Sequence, residues 1–176
     1  MTERPEVPGI PADWLEWRLR MRGRDVAARP GASAQDVYAA MIKGVVSPAL
    51  RAQGLVGSGG RYSIPSDTHW AMLGFQKSSY SDRTEVRFTV NMSVVTRAAW
   101  EELIRERPYY GRRMAPTVED GEPVRSARIG ALTQPPGDVW WRVFDGQDMD
   151  ALQVDLLSTL VDLGLPWLRR QIAETE

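Results

Sequence analysis

The side chains able to do chemistry in this chain are few, and their spacing limits what that chemistry can be. His69 is the single histidine, with Asp67 and Thr68 beside it, and Lys77 and Tyr80 stand a few residues on. Lys and Tyr carry protons when burial or a neighbouring charge moves their pKa. A catalytic His–Asp pair needs the carboxylate on the far ring nitrogen, and adjacency in sequence does not place it there, so the reading of His69 as a turn or strand-edge residue outweighs a general base. Gly54-Leu55-Val56-Gly57-Ser58-Gly59-Gly60-Arg61 is glycine-rich like a phosphate loop, but a helical pattern precedes it and a strand pattern follows, the reverse of the order that aims amides at an anion. It reads as a helix cap and turn. Asp145, Asp148, Asp150, Asp155 and Asp162 have no spacing that forces convergence on a metal; the first three suit the positive end of a helix. Tyr109-Tyr110-Gly111-Arg112-Arg113 mixes rings and cations in the manner of single-strand binders, but as part of a long polar loop.

Composition narrows the classes further. With no cysteine and one histidine, disulfides, thiolate chemistry and multi-histidine metal sites are excluded, and no cofactor or metal is expected. A net charge of −1 argues against nucleic acid as partner. No apolar run approaches the roughly 18 residues that span a bilayer, and residues 1–12 lack the apolar stretch of a secretion signal; a cytoplasmic protein without a membrane partner is the expectation. The basic residues are almost all arginine, Lys43 and Lys77 being the only lysines. That bias reads as composition first and recognition chemistry second.

The elements that must position these groups are legible from periodicity. Asp13 and Glu16 begin a helix over Trp14 to Arg22, the core of an arm at residues 1–32 that ends in a Gly/Pro-containing linker. Its Trp14, Trp17 and Met21 form one stripe, with Arg18 and Arg22 not segregated from the apolar positions, so docking on the domain or on a second copy is expected rather than membrane binding. One domain occupies 33–176. Ser33 and Asp36 cap a helix carrying Val37, Tyr38, Met41, Ile42, Val45 and Val46, with a kink or restart at Ser47-Pro48 and a cap at Gly54. A strand is expected near Leu55 to Ile64. Trp70 to Lys77 and Val86 to Val95 alternate with period two, Val139 to Phe144 gives a further strand, and Val124 to Leu132 a weaker one. Arg97 to Arg107 reads as a short helix with Trp100, Leu103 and Ile104 inward. The last long helix runs from about Asp148 to Leu163, and Pro166 opens a final turn. Helix, adjacent strands, then helix, without β-α-β alternation, is an α+β pattern: an antiparallel sheet of about five strands, with the two long helices on one face.

Several residues in this order and spacing resemble a known family. They are Pro48-Ala49-Leu50, Gly54-Leu55, Arg61-Tyr62, Trp70, Phe75-Gln76-Lys77-Ser78-Ser79-Tyr80-Ser81, Phe88-Thr89-Val90-Asn91-Met92, Arg128-Ile129-Gly130, Trp140-Trp141 and Leu165-Pro166-Trp167-Leu168. Over about residues 34–172 the chain resembles the bacterial family called domain of unknown function 4304, the Gln-Lys-Ser-x-Tyr-Ser run being the most specific element. The resemblance implies the fold and no catalytic residue. Some small bacterial domains of this kind resemble antagonists in toxin–immunity systems.

If Ala71, Leu73, Phe75, Phe88, Val90 and Met92 meet the helices, then Trp70, Gln76, Thr89, Asn91 and Ser93 line the other face. Adding Lys77, Ser78, Tyr80, Arg128, Trp140 and Arg142 gives a polar–aromatic surface suited to recognition through aromatic anchors and amides. Which of Trp140 and Trp141 lies in the core stays open at this point. The function expected is therefore a non-enzymatic binding module, an antagonist or adaptor for another protein, with a homodimer through the N-terminal helix as a second contact. The alternative is a small enzyme whose pocket lies on the same face, with Lys77, Tyr80 or His69 as proton carriers.

Overall fold

Ser33 starts the first helix as its spacing predicts: its backbone N–H donates to the Asp36 carboxylate at 2.9 Å and the Asp36 N–H donates to Ser33 Oγ at 3.2 Å. The computed structural model describes residues 31–116, 121 and 123–175; the helix expected over Trp14 to Arg22 lies outside them. Helix α1 (Ala34–Met41) runs through a π turn (Ile42–Val46) directly into α2 (Ser47–Ala52), which ends at Gly54 with a φ of 88°. Strands β1 (Val56–Ser58) and β2 (Arg61–Ser63) form a hairpin where one strand was expected. Gly59 and Gly60 join them with φ of 61° and 83°, the left-handed pair that a two-residue turn of matching twist requires. Strand β3 (His69–Lys77) and the long β4 (Glu85–Thr96) follow, then α3 (Arg97–Glu106). Strand β5 (Arg125–Arg128) stops short of Leu132, because the chain turns into a 3-10 helix over Ile129–Leu132. There Gly130 is pressed on the returning backbone, and a Cβ would meet the Gly137 carbonyl at 2.1 Å. After β6 (Trp141–Phe144) come α4 (Asp150–Thr159), a second π turn (Leu160–Gly164) and α5 (Leu165–Ala173).

The two π turns correct the expected helix breaks and share a cause. Pro48 and Pro166 each sit two residues past a π turn. Proline lacks the N–H for an i→i−4 bond and its ring crowds the carbonyl one turn back. A widened turn relieves the crowding without ending the helix. Residues 150–173 thus form one continuous helix of 24 residues, long and apolar enough by length and composition to cross a membrane. Here its Leu156, Leu157, Leu160, Leu165 and Leu168 are buried in the core.

Among the described residues six strands pair antiparallel, in the order β1-β2-β3-β4-β5 with β6 also on β4. β6 takes the stretch Glu85–Phe88 and β5 the stretch Asn91–Val94, so the two short strands share one edge of β4. Both long helices pack on one face, over Ala71, Leu73, Val86, Phe88, Val90 and Met92. Trp141 belongs to this core, its ring 5.7 Å from that of Phe88, and Trp140 to the opposite face.

That opposite face is only half open. Helix α3 and the segment after it cover one end, burying Val95, Trp100, Leu103, Met114 and Val124, with Trp70 and Met72 packed against them. The segment 108–116, expected as a solvated loop, is exposed at Pro108, Tyr109 and Gly111 to Arg113 but turns inward at Met114 and Pro116, which cover part of the sheet. Pro116 lies so close over Gly74 that a Cβ there would stand 2.3 Å from the proline ring, and Ser93 Oγ donates to the Pro116 carbonyl at 3.2 Å.

Candidate functional site

The alternation of β3 and β4 sorts the expected site residues. Odd positions of β4 point away from the long helices, so Arg87, Thr89 and Asn91 share the open half of the second face. Register sets Gln76 opposite Thr89, Arg128 opposite Asn91 and Arg142 opposite Arg87. Trp140 immediately precedes β6, at the position that faces Thr89 when the β4–β6 register is continued by one residue. Five of the nine residues expected to bind, Gln76, Asn91, Arg128, Trp140 and Arg142, are therefore brought together.

Each is held by a neighbour. Asn91 Nδ2 donates to Gln76 Oε1 at 2.6 Å, tying β3 to β4 through side chains. Asp138, a residue the sequence reading missed, accepts from Trp140 Nε1 at 2.8 Å and from Arg128 at 3.0 Å. The indole donor first, then the guanidinium, hold its carboxyl below the ordinary range. Arg128 lies 5.4 Å from the Trp140 ring centroid, a cation–π arrangement. In the middle, Thr89 is buried and its hydroxyl has no hydrogen-bond partner among the described residues. An unmade hydrogen bond of that kind costs about 1–3 kcal/mol.

Arg87 and Arg142 stand directly opposite, a like-charge pair that destabilises a sheet. Glu85 resolves it by accepting from both guanidiniums, from Arg87 Nε at 2.7 Å and from Arg142 Nε. Arg142 first and Arg87 second push the Glu85 carboxyl down to about 2. Its folded value lies below the unfolded one, so its contribution is complete above the ordinary carboxylate range and is lost as pH falls toward about 2. Glu85→Gln should flatten the melting temperature against pH between about 4.5 and 2 relative to the parent chain. Parallel profiles would show that the Glu85 carboxylate is not held by the two arginines.

The remaining expected residues separate. Trp70 is half-buried beside α3, with the Arg97 guanidinium 4.1 Å from its ring centroid, and leaves the open surface. Ser78 and Tyr80 lie in the turn after β3, where the Tyr80 N–H donates to Ser78 Oγ at 3.2 Å; the Tyr80 side chain is 85% exposed. Lys77 points to the helix side, opposite Gln76, and donates to Gln35 Oε1 at 2.9 Å. His69 is buried at the far end of β3, with Nδ1 2.8 Å from the Thr68 hydroxyl and Nε2 2.9 Å from the Thr175 hydroxyl. It fastens the end of α5 to the sheet. His69 and Lys77 terminate a nine-residue strand and so stand roughly 26 Å apart. His69 thus does not meet Lys77, and Lys77 is not on the face where the enzyme alternative put its pocket. No group of three or more His, Asp or Glu is placed to hold a metal among the described residues.

On the helix side lies a cleft of about 600 Å³ bordered by α1, the first π turn, α2, the β1–β2 turn and the end of β3. Lys43, Arg51 and Lys77 line it together with Tyr38 and Ser47. Sequence reading missed Lys43 and Arg51 here; the one signal available was the rarity of lysine.

No curated protein and no solved structure matches this chain. A family profile does, over residues 46–170, which takes in the second π turn, the entire sheet and α3. The chain belongs to the family described as Domain of unknown function (DUF4304).

Proposed function

We propose that this domain is a non-enzymatic binding module, an antagonist or adaptor that engages another protein through the open half of its second sheet face. The observation that carries this reading is the assembly of Gln76, Asn91, Arg128, Trp140 and Arg142 on one surface around Thr89. An indole flanked by guanidiniums and amides is the composition of an interface centre, where Trp and Arg dominate the energy. The side chains are held by Asp138 and Glu85, so little conformational freedom is lost on docking. With three guanidiniums to two carboxylates, the surface suits a partner segment carrying acidic and amide groups around an apolar contact. The separation of His69 from Lys77 supports binding over catalysis.

The test is partner affinity. A partner isolated from the native host with the intact chain should bind Trp140→Ala more weakly by about 2 kcal/mol or more, roughly thirtyfold. Asn91→Ala should cost less, since solvent can replace the Asn91 amide as donor to Gln76 Oε1. Unchanged affinity in Trp140→Ala, Asn91→Ala and Gln76→Ala, each with parental melting behaviour, would remove this face from the function.

A further inference from the structure

The cleft on the helix side is independent of the sheet-face reading, and its chemistry is more sharply defined. The chain has 22 basic residues, of which only Lys43 and Lys77 are lysines. Both line this one cleft, 34 positions apart in sequence, on a helix and at a strand end. Arg51 makes a third cation, and no carboxylate lines the cleft among the described residues. Lys77 donates to a neutral amide oxygen, Gln35 Oε1 at 2.9 Å, and lies 5.6 Å from the Tyr38 ring centroid. Arg51 donates to the Gly57 carbonyl at 2.9 Å, which fixes the guanidinium without neutralising it. Burial pushes the Tyr38 hydroxyl above its ordinary range, so the phenol supplies no counter-charge either.

Helix geometry explains how these groups come to one side. Gln35, Tyr38, Ala39, Ile42 and Lys43 form an ordinary helical stripe. On a straight α-helix Arg51, sixteen residues from Gln35, would fall about 160° away at about 100° per residue. The π turn adds one residue, which returns Arg51 to within about 60° of Gln35, inside the reach of its long side chain. The same turn is closed by Ser47, whose hydroxyl donates to the Ile42 carbonyl at 2.8 Å and stands 2.7 Å from the Tyr62 hydroxyl. The widened turn that accommodates Pro48 therefore also directs the cleft's third cation.

We propose that this cleft binds a small organic phosphate, its dianionic group held by Lys43, Lys77 and Arg51 and its apolar body against Tyr38, Ala39 and Ile42. Three uncompensated cations exceed what one carboxylate needs, and ammonium groups serve phosphate as adaptable point charges. A volume of about 600 Å³ is that of a small-molecule pocket.

Phenyl phosphate is the probe, titrated into the full chain by calorimetry, with inorganic phosphate, benzoate and benzyl alcohol in parallel. The expected order is phenyl phosphate tightest, inorganic phosphate weaker through loss of the apolar contact, and no saturable binding of benzyl alcohol. Lys43→Gln and Lys77→Gln should each weaken phenyl phosphate roughly tenfold or more, and Lys43→Arg should recover most of the loss at the exposed position. Arg105→Gln, an exposed substitution on α3, should leave it unchanged. Absence of saturable phenyl phosphate binding would overturn the proposal. So would parental binding by the chain carrying both Lys43→Gln and Lys77→Gln, or an equal loss in Arg105→Gln. Benzoate binding as tightly as phenyl phosphate would overturn the assignment of phosphate.

Discussion

Replacing Phe88 by Ala should remove about 3–5 kcal/mol of stability, a large share of the about 5–15 kcal/mol that holds a domain of ordinary size. Phe88 is fully buried on the central strand, between its register partners Lys77 of β3 and Trp141 of β6. Its ring stands 5.1 Å from Tyr38, 5.9 Å from Phe75 and 5.7 Å from Trp141, so three elements meet on it. The hole left by alanine has a poor route to collapse. Trp141 is fixed by its Nε1 donating to Asp155 at 2.7 Å, and Tyr38 lies on a helix anchored at both ends. Urea unfolding of the full chain measures the loss, with Phe88→Leu as a variant that keeps much of the volume and should lose less. A loss below about 1 kcal/mol for Phe88→Ala would contradict this ring cluster, because even partial collapse leaves the transfer cost of the removed carbons.

Strand β4 was legible because its two faces differ so sharply. Phe88, Val90, Met92 and Val94 against Arg87, Thr89, Asn91 and Ser93 admit one pleat and one inward face, and the structure follows it. The same parity argument placed Gln76, Thr89 and Asn91 together on the second face, because strand pairing preserves sidedness. It failed at Trp70, since period two says which face a residue takes and not what covers that face. The cover comes from Trp100, Met114 and Val124, far along the chain, and no local pattern announces their docking. Trp140 and Trp141 were likewise undecidable until β6 was registered on Phe88.

The helix breaks were half legible. Proline at 48 and 166 correctly marked places where α-helical bonding cannot continue, but a break, a kink and a π turn all satisfy that condition. What selects the π turn is tertiary: Met41 and Leu50 on either side of the first, and Leu157 and Leu165 on either side of the second, all have to reach the same core. The cleft was illegible for a related reason. Its cations come from a helix, a widened turn and a strand end, and only the turn's extra residue brings Arg51 to the side of Lys43. Lysine rarity pointed at two of its residues, yet composition alone cannot separate a genomic bias from a retained charge.

Trp100→Ala should also cost about 3–5 kcal/mol, with consequences confined to the second face. Trp100 is 1% exposed at the start of α3, packed with Val95, Leu103, Met114 and Val124, its ring 5.9 Å from that of Tyr110. Its Nε1 donates to the Arg112 carbonyl at 3.2 Å, so the indole holds the segment beyond α3 as well as α3 itself. Removing it takes away both the apolar plug and the hydrogen bond, and leaves the strip ending at Pro116 held by Ser93 Oγ and by the packing of Met114 and Pro116. Amide hydrogen exchange over residues 97–116 should therefore accelerate far more than exchange in β3 or β4, since local opening no longer requires global unfolding. Because Trp100 and Phe88 belong to separate clusters on opposite faces of the sheet, the double variant should lose close to the sum of the two single losses. A double-variant loss well below that sum, or uniform acceleration of exchange throughout the sheet, would mean that the two layers fold as one cooperative core rather than as a main core and a separately docked cover.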